Sequence, residues 1–315
     1  MDGILNIDKP PGLSSRQVVN EIIRLSGQPK AGHTGTLDPF ATGVLVVCLG
    51  KATRLAEYIS RSDKTYIATL HLGARSDTLD KTGKLQEVEV AEPPGEQDVA
   101  RVLQDFVGEI EQTPPAYSAA RVGGMRLYEL ARKGETPGYV RPRRVHIYSI
   151  KILEYNFPLL KIKVSSSRGT YIRALAGDVG ERLGVGAYLE ELQRTRVGDF
   201  RIEDAISLDS FTTADGRRPT SDLIPKHLLP METAVKELTK LTLDAEEIKK
   251  ISFGQAISLP GALSLAVKPR LGRAGSPKFS PETGDIVALN EERKLVAIMT
   301  ADEESGLLKP KKVFV

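Results

Sequence analysis

Tryptophan is absent from the 315 residues, aromatic side chains make up only 5%, and cysteine occurs once. So few aromatics exclude an extended base-stacking platform. The lone Cys48 rules out an internal disulfide and a Cys-based zinc site, and it fits a reducing compartment. Set in the apolar run from Val44 to Leu49, it reads as a small core residue. The four histidines, His33, His71, His146 and His227, form no cluster with metal-ligand spacing. No apolar run approaches the about 20 residues of a membrane span, and no signal segment opens the chain, so a cytoplasmic protein is expected. Gly50-Lys51-Ala52-Thr53 lacks P-loop spacing, and Ala52 stands where a hydroxyl is needed. Net charge is only +3, with 27% charged and 40% hydrophobic residues. Those values describe a globular protein of one large domain, or of a large and a small one.

The most informative stretch present is Gly32-His33-Thr34-Gly35-Thr36-Leu37-Asp38-Pro39-Phe40-Ala41-Thr42-Gly43. It is too polar for core and too tightly punctuated for a linker. Pro39 biases Asp38 toward extended backbone, so its carboxylate projects from a loop. The run Val44 to Leu49, a buried strand or a short apolar helix, holds that loop in place. A polar loop on a rigid apolar element is a common seat for catalytic groups, although Asp-Pro in such a setting also makes ordinary turns.

Along the chain, residues 3–13 read as a short strand and a turn. A helix capped at Ser14 or Ser15 follows and ends at Gly27. Residues 54–58 start a surface helix, and 64–73 alternate as a strand in which Tyr66 packs on the sheet. Residues 74–80 form a solvated acidic turn. Residues 85–113 carry eight acids against Arg101 alone, with a surface helix over about 97–106. The sign reverses over 117–151, where eight basic residues oppose Glu129 and Glu135 and four tyrosines are interleaved. That composition fits either a solvated face or a nucleic-acid surface. A strand over 159–165 feeds a helix with Ile172, Leu175, Ala176, Val179 and Leu183 on its buried face. Arg173 in its first turn opposes the helix dipole and points to an anionic neighbour, for which Asp38 is the candidate. Residues 209–230 read as a connector, 241–251 as a helix, and short strands lie near 257, 286–289 and 295–299. The acid-free stretch between Gly261 and Pro281 reads as a basic loop of a small β domain.

GHTGTLDPFATGVL resembles the catalytic loop of the TruB family of bacterial tRNA pseudouridine synthases, with Asp38 in the place of the catalytic aspartate. KPPGLSS resembles the family's first motif, in which Lys9 supports the loop. KTYxxxxxLG resembles the second, in which Tyr66 stacks on the target base and assists proton removal. RGTYIR resembles the third, in which Arg173 pairs with Asp38 and Tyr171 contacts the flipped uridine. Leu192 matches an apolar residue lining the base pocket, or else serves simply as core, and His33 helps to hold the extruded base. TPPAYSAARVGGMRLYELARKGE resembles the thumb insertion that closes over the tRNA arm. The tail is similar to the PUA-like modules of the family.

The resemblance implies an α+β fold. Residues 1–230 would form the catalytic domain, with a mixed, mostly antiparallel sheet and a thumb over about 113–151. Residues 231–315 would form a PUA-like RNA-binding domain. The implied reaction converts uridine 55 of the tRNA T-loop to pseudouridine, with Asp38, Tyr66 and Arg173 catalytic and His33, Tyr171 and Leu192 binding substrate. It needs no cofactor, metal, membrane or guide RNA, and a monomer suffices. A nearby arginine is expected to hold the Asp38 pKa about 1–3 units low. The nearest alternative is a guide-RNA-dependent relative, against which the full thumb insertion stands, and two readings of other classes remain. One is an RNA-binding, tRNA-folding factor in which catalysis is secondary. The other is a carboxylate hydrolase, which needs a second acid near Asp38 that the sequence does not display.

Overall fold

The structure is a computed structural model that describes residues 1–118, 120–135, 138, 140–211, 223–260, 284–302 and 304–315. Its frame is a mixed sheet. The order along it is Ile206–Ser207, Gly3–Lys9, Thr42–Leu49, Ala187–Val197, Lys64–Leu72, Leu159–Ser166, Arg143–Asn156, Gly108–Gln112. Two of these neighbouring pairs, Gly3–Lys9 with Ile206–Ser207 and Thr42–Leu49 with Ala187–Val197, run parallel, and the others are antiparallel. The run Val44 to Leu49 is thus a strand, buried at every position.

Helices cover the apolar faces. Ser15–Ser26 starts at a capping box, with Ser14 and Gln17 bonded reciprocally, and stops at Gly27 in the left-handed region. Its Val18, Val19 and Ile22 pack on Leu5, Ile7, Leu45 and Val47. Ile172–Leu183 buries Ile172, Leu175, Ala176 and Val179 against Tyr66, Ala68, Leu70 and Leu189. The close approach needs Gly180, where a Cβ would come within 2.1 Å of the Ala187 nitrogen. Glu96–Asp105 completes this layer through Val99 and Leu103.

A second sheet, ordered Thr239–Thr242, Asp285–Leu289, Leu295–Asp302, Leu307–Val313, Ile257–Ser258, has its own core around Ile251, Ile286, Val296 and Met299. The helix expected over 241–251 is corrected. Thr239–Thr242 is a strand paired parallel to Ile286–Leu289, and the helix is Ala245–Ser252, started by the Asp244–Glu247 capping box. The basic loop expected between Gly261 and Pro281, and most of the connector over 209–230, lie outside the described residues.

Residues 54–58 are no free surface helix either. Leu55 and Tyr58 are buried against the second sheet, and the Tyr58 hydroxyl donates to Asp285 Oδ2 at 2.8 Å. Lys51 Nζ donates to the Phe314 carbonyl at 2.6 Å, and Lys312 pairs with Glu57. Among the described residues no helix is long and apolar enough to cross a membrane.

Candidate active site

The loop bearing Asp38 connects the Ala31–His33 strand to Thr42–Leu49, which pair antiparallel. It is held from three directions. Ser15 Oγ, at the start of the first helix, accepts from the Leu37 N–H at 2.8 Å and donates to the Leu37 carbonyl at 3.1 Å. Lys9, fully buried, donates from Nζ to the Pro39 and Pro10 carbonyls at 3.1 and 2.7 Å. Burial lowers its pKa to about 8, against the pull of Asp38. Arg194, 3% exposed, donates to the carbonyls of Val44, Gly35 and Thr36 at 2.8, 3.0 and 3.4 Å. The strand bearing Arg194 lies so close that a Cβ at Gly43 would sit 2.3 Å from the Arg194 carbonyl oxygen, and Gly43 has φ +96°. Only glycine accommodates both conditions.

Asp38 faces Arg173. Arg173 Nε lies 3.0 Å from Asp38 Oδ2, and Nη2 donates to Oδ1 at 3.2 Å. The same guanidinium reaches Asp80 Oδ2 at 3.3 Å and the Tyr117 carbonyl at 2.8 Å. Asp80 is buried and accepts from Thr78 Oγ1 at 2.8 Å and from the Thr82 N–H at 2.9 Å. The turn over 74–80 is therefore not solvated at Asp80: one cation sits between two carboxylates. Burial pushes the Asp38 carboxyl above its ordinary range. Arg173 pulls it down, Asp80 adds to the rise, and Lys9 and Arg194 oppose it. The net direction reverses the expectation from Arg173 alone, because the loop that brings the arginine close also removes water.

Tyr66 is buried and sits across the strand pair from Arg194. Burial raises the Tyr66 pKa and Arg194 counters that rise. Leu192, opposite Ala68, packs into the core that holds Tyr66 and Leu37. Tyr171, half-buried, precedes the Ile172–Leu183 helix. His33 is half-buried, its Nδ1 has no hydrogen-bond partner among the described residues, and burial lowers its pKa, helped by Arg194 and Arg16. All six residues singled out in the sequence line one cleft of about 1020 Å³, joined at its rim by Arg16, Lys84 and Tyr128.

Sequence reasoning passed over Asp80, Arg194 and Gln112. A charged residue on the core-facing side of an alternating strand, two positions after Leu192, was the available signal for Arg194. Thr78, Asp80 and Thr82, each two residues apart, carried the signal for Asp80. In the basic segment, Arg121, Arg141, Arg143 and Arg144 line a second crevice of about 750 Å³. Strand pairing there brings Arg144 to Glu109 and Glu111, at 3.4 and 3.5 Å, so part of the basic charge is neutralised.

Residues 23–172 match the profile of the TruB family pseudouridylate synthase N-terminal domain, and 173–236 match the tRNA pseudouridylate synthase B C-terminal domain. The chain is 39% identical over 317 residues to tRNA pseudouridine synthase B of Dehalococcoides mccartyi, covering 100% of this chain and 97% of that protein. It is 41% identical over 272 residues to the enzyme of the same name from Haemophilus influenzae, covering 86% of each. An H/ACA RNP bound to a substrate RNA containing 2'-deoxyuridine holds a chain of similar fold. That chain has a TM-score of 0.69 and 28% identity, over 99% of this chain and 85% of that one. A chain of a Cbf5-Nop10-Gar1 complex superposes with a TM-score of 0.70 at the same identity and coverage. With the match running through both family domains and the full length of a relative, the chain belongs to the TruB family of tRNA pseudouridine synthases, which are isomerases.

Proposed function

We propose that the protein isomerises the uridine at position 55 of the tRNA T-loop, acting alone as a cytoplasmic monomer without guide RNA. One observation carries this reading. The Asp38 carboxylate, held by an ion pair and a hydrogen bond from Arg173, opens on a cleft walled by Tyr66, Leu192 and Tyr171. Isomerisation breaks the N1–C1′ bond, turns the base, joins C5 to C1′, releases the C5 proton and protonates N1. Asp38 supplies the ionised carboxylate at the reacting nucleoside, and Arg173 keeps it ionised and aimed. Tyr66 takes the C5 proton, its oxyanion favoured by the neighbouring Arg194 and opposed by burial.

Extruding the base costs a few kcal/mol, about the value for unstacking one nucleotide. Tyr66 offsets it by stacking on the uracil, Tyr171 and His33 by contacts to the extruded nucleotide, and Leu192 closes the floor. In this reading residues 1–230 are the catalytic domain. The thumb over about 113–151 closes on the T-arm, and 231–315 form a PUA-like RNA-binding domain. The test is an unmodified tRNA transcript incubated with the protein and no other RNA, followed by mapping of pseudouridine. Product at position 55 supports the reading; product elsewhere, or only after a second RNA is added, contradicts it.

A further inference from the structure

Gln112 ends the Gly108–Gln112 strand, just before Thr113-Pro114-Pro115, and is 1% exposed. Both ends of its amide are used on one distant residue. The Tyr171 N–H donates to Gln112 Oε1 at 2.9 Å, and Gln112 Nε2 donates to the Tyr171 carbonyl at 3.2 Å. A side chain thereby makes the two bonds that a paired strand would make. Tyr171 is a residue in need of them: it caps the Ile172–Leu183 helix with φ −97° and ψ 106°, and its own side chain makes no capping bond. Five residues beyond Gln112, the Tyr117 carbonyl accepts from Arg173 Nη2 at 2.8 Å. Between these two contacts lie Pro114 and Pro115, both buried, whose rings fix φ and leave the segment little freedom. Residues 112–117 thus grip the start of that helix at two points, the backbone of Tyr171 and the guanidinium that holds Asp38.

We propose that Gln112 is a positioning residue for the isomerisation. It fixes the Tyr171 backbone, and with it the ring direction and the first helical turn carrying Arg173, and it ties both to the root of the arm that follows. The inference rests on the proposed reading of the Asp38 cleft as the uridine site. Packing alone would be served as well by an unbranched apolar side chain, which makes neither bond to Tyr171.

Gln112→Met removes both bonds at similar volume. Gln112→Glu keeps the acceptor for the Tyr171 N–H and regains a donor for the Tyr171 carbonyl only when protonated. The measurements are single-turnover tritium release from C5-labelled tRNA, tRNA affinity, and amide exchange of the peptide containing Tyr171, from mildly acidic to mildly alkaline pH. For Gln112→Met the rate is expected to fall about tenfold or more with affinity within about threefold, and exchange at Tyr171 to quicken. For Gln112→Glu the rate relative to the wild type is expected to climb as pH falls and the carboxyl takes up its proton. A wild-type rate in Gln112→Met, a loss confined to affinity, or a Gln112→Glu ratio flat with pH would overturn the proposal. If Gln112→Met does not fold, the Gln112→Glu ratio decides. A wild type that releases no tritium counts against the cleft reading instead, and unchanged exchange at Tyr171 in Gln112→Met then overturns the Gln112 assignment separately.

Discussion

Arg173 meets Asp38 side-on, Nε 3.0 Å from Oδ2 and Nη2 3.2 Å from Oδ1, while its remaining nitrogen lies 3.3 Å from Asp80. A planar fork of this kind fixes the carboxylate in two directions, which a lysine ammonium would not do.

Burial raises the Asp38 carboxyl pKa above its ordinary range, so the folded chain holds this proton to a higher pH than the unfolded chain does. The stability it contributes is complete below the unfolded value and is lost as pH rises through the folded one. Asp38→Asn is therefore expected to melt at or above the wild-type temperature at neutral pH, with the gap closing in acid. The activity of the wild type falls as pH drops through the raised pKa. Thermal melts and rate profiles across pH check both; a neutral-pH melting temperature clearly below wild type would contradict the first.

Asp80 lends Arg173 its second carboxylate and raises the Asp38 pKa. Asp80→Ala takes the buried carboxylate away from Thr78 Oγ1, from Thr82 and from Arg173 Nη1, which keeps only the Thr78 carbonyl at 3.3 Å, a change costing about 3–5 kcal/mol by comparison with other broken buried pairs. Asp80→Asn keeps the acceptor for Thr78 and Thr82. It should fold, lose activity about tenfold or more through a loosened Arg173, and move the acid limb of the rate profile downward. An unmoved acid limb would show that Asp80 does not act on Asp38.

Lys9 carries its charge into a fully buried site, and its pKa falls from 10.5 to about 8. Between those values the unfolded chain binds a proton that the folded chain has shed, so stability rises with pH over that window. Replacing Lys9 by Met is expected to flatten this rise and, by releasing the Pro39 carbonyl, to lower activity. Chemical denaturation at a series of alkaline pH values measures the slope, and an identical slope in the variant would refute the assignment.

Tyr58→Phe deletes the bond to Asp285, whose side chain is 1% exposed and is also bound by Lys311 and Thr300. The loss should be about 1.5–3 kcal/mol, the range for a hydrogen bond to a charged group. It should make the second sheet the first part attacked by protease. Cleavage that begins elsewhere at the wild-type rate would speak against this anchor.

What could be read from the residues alone was whatever local chemistry writes down. Ser14 announces a helix start, Gly27 announces its stop, and alternation marks Lys64–Leu72 as a strand. Asp38, Tyr66, Arg173, His33, Tyr171 and Leu192 were singled out because they resemble positions of a known family, and the fold brings all six to one cleft. What stayed hidden depends on contacts far apart in the chain. Asp80 looks like a solvated turn until Arg173, 93 residues on, comes to it. Leu241 belongs to an apolar period that suits a helix, yet pairing with the Asp285–Leu289 strand takes it into a sheet. The sign of the Asp38 shift followed the same rule: the arginine can be guessed from a motif, whereas the loss of water is a property of the whole assembled loop.

The most direct measurement is tritium release from tRNA labelled at uridine C5, comparing the wild type with Asp38→Asn and adding no other RNA. The account predicts release by the wild type, reduced at least about a hundredfold in the variant, with both proteins binding tRNA. Equal release by the two proteins, or none from either, would contradict it.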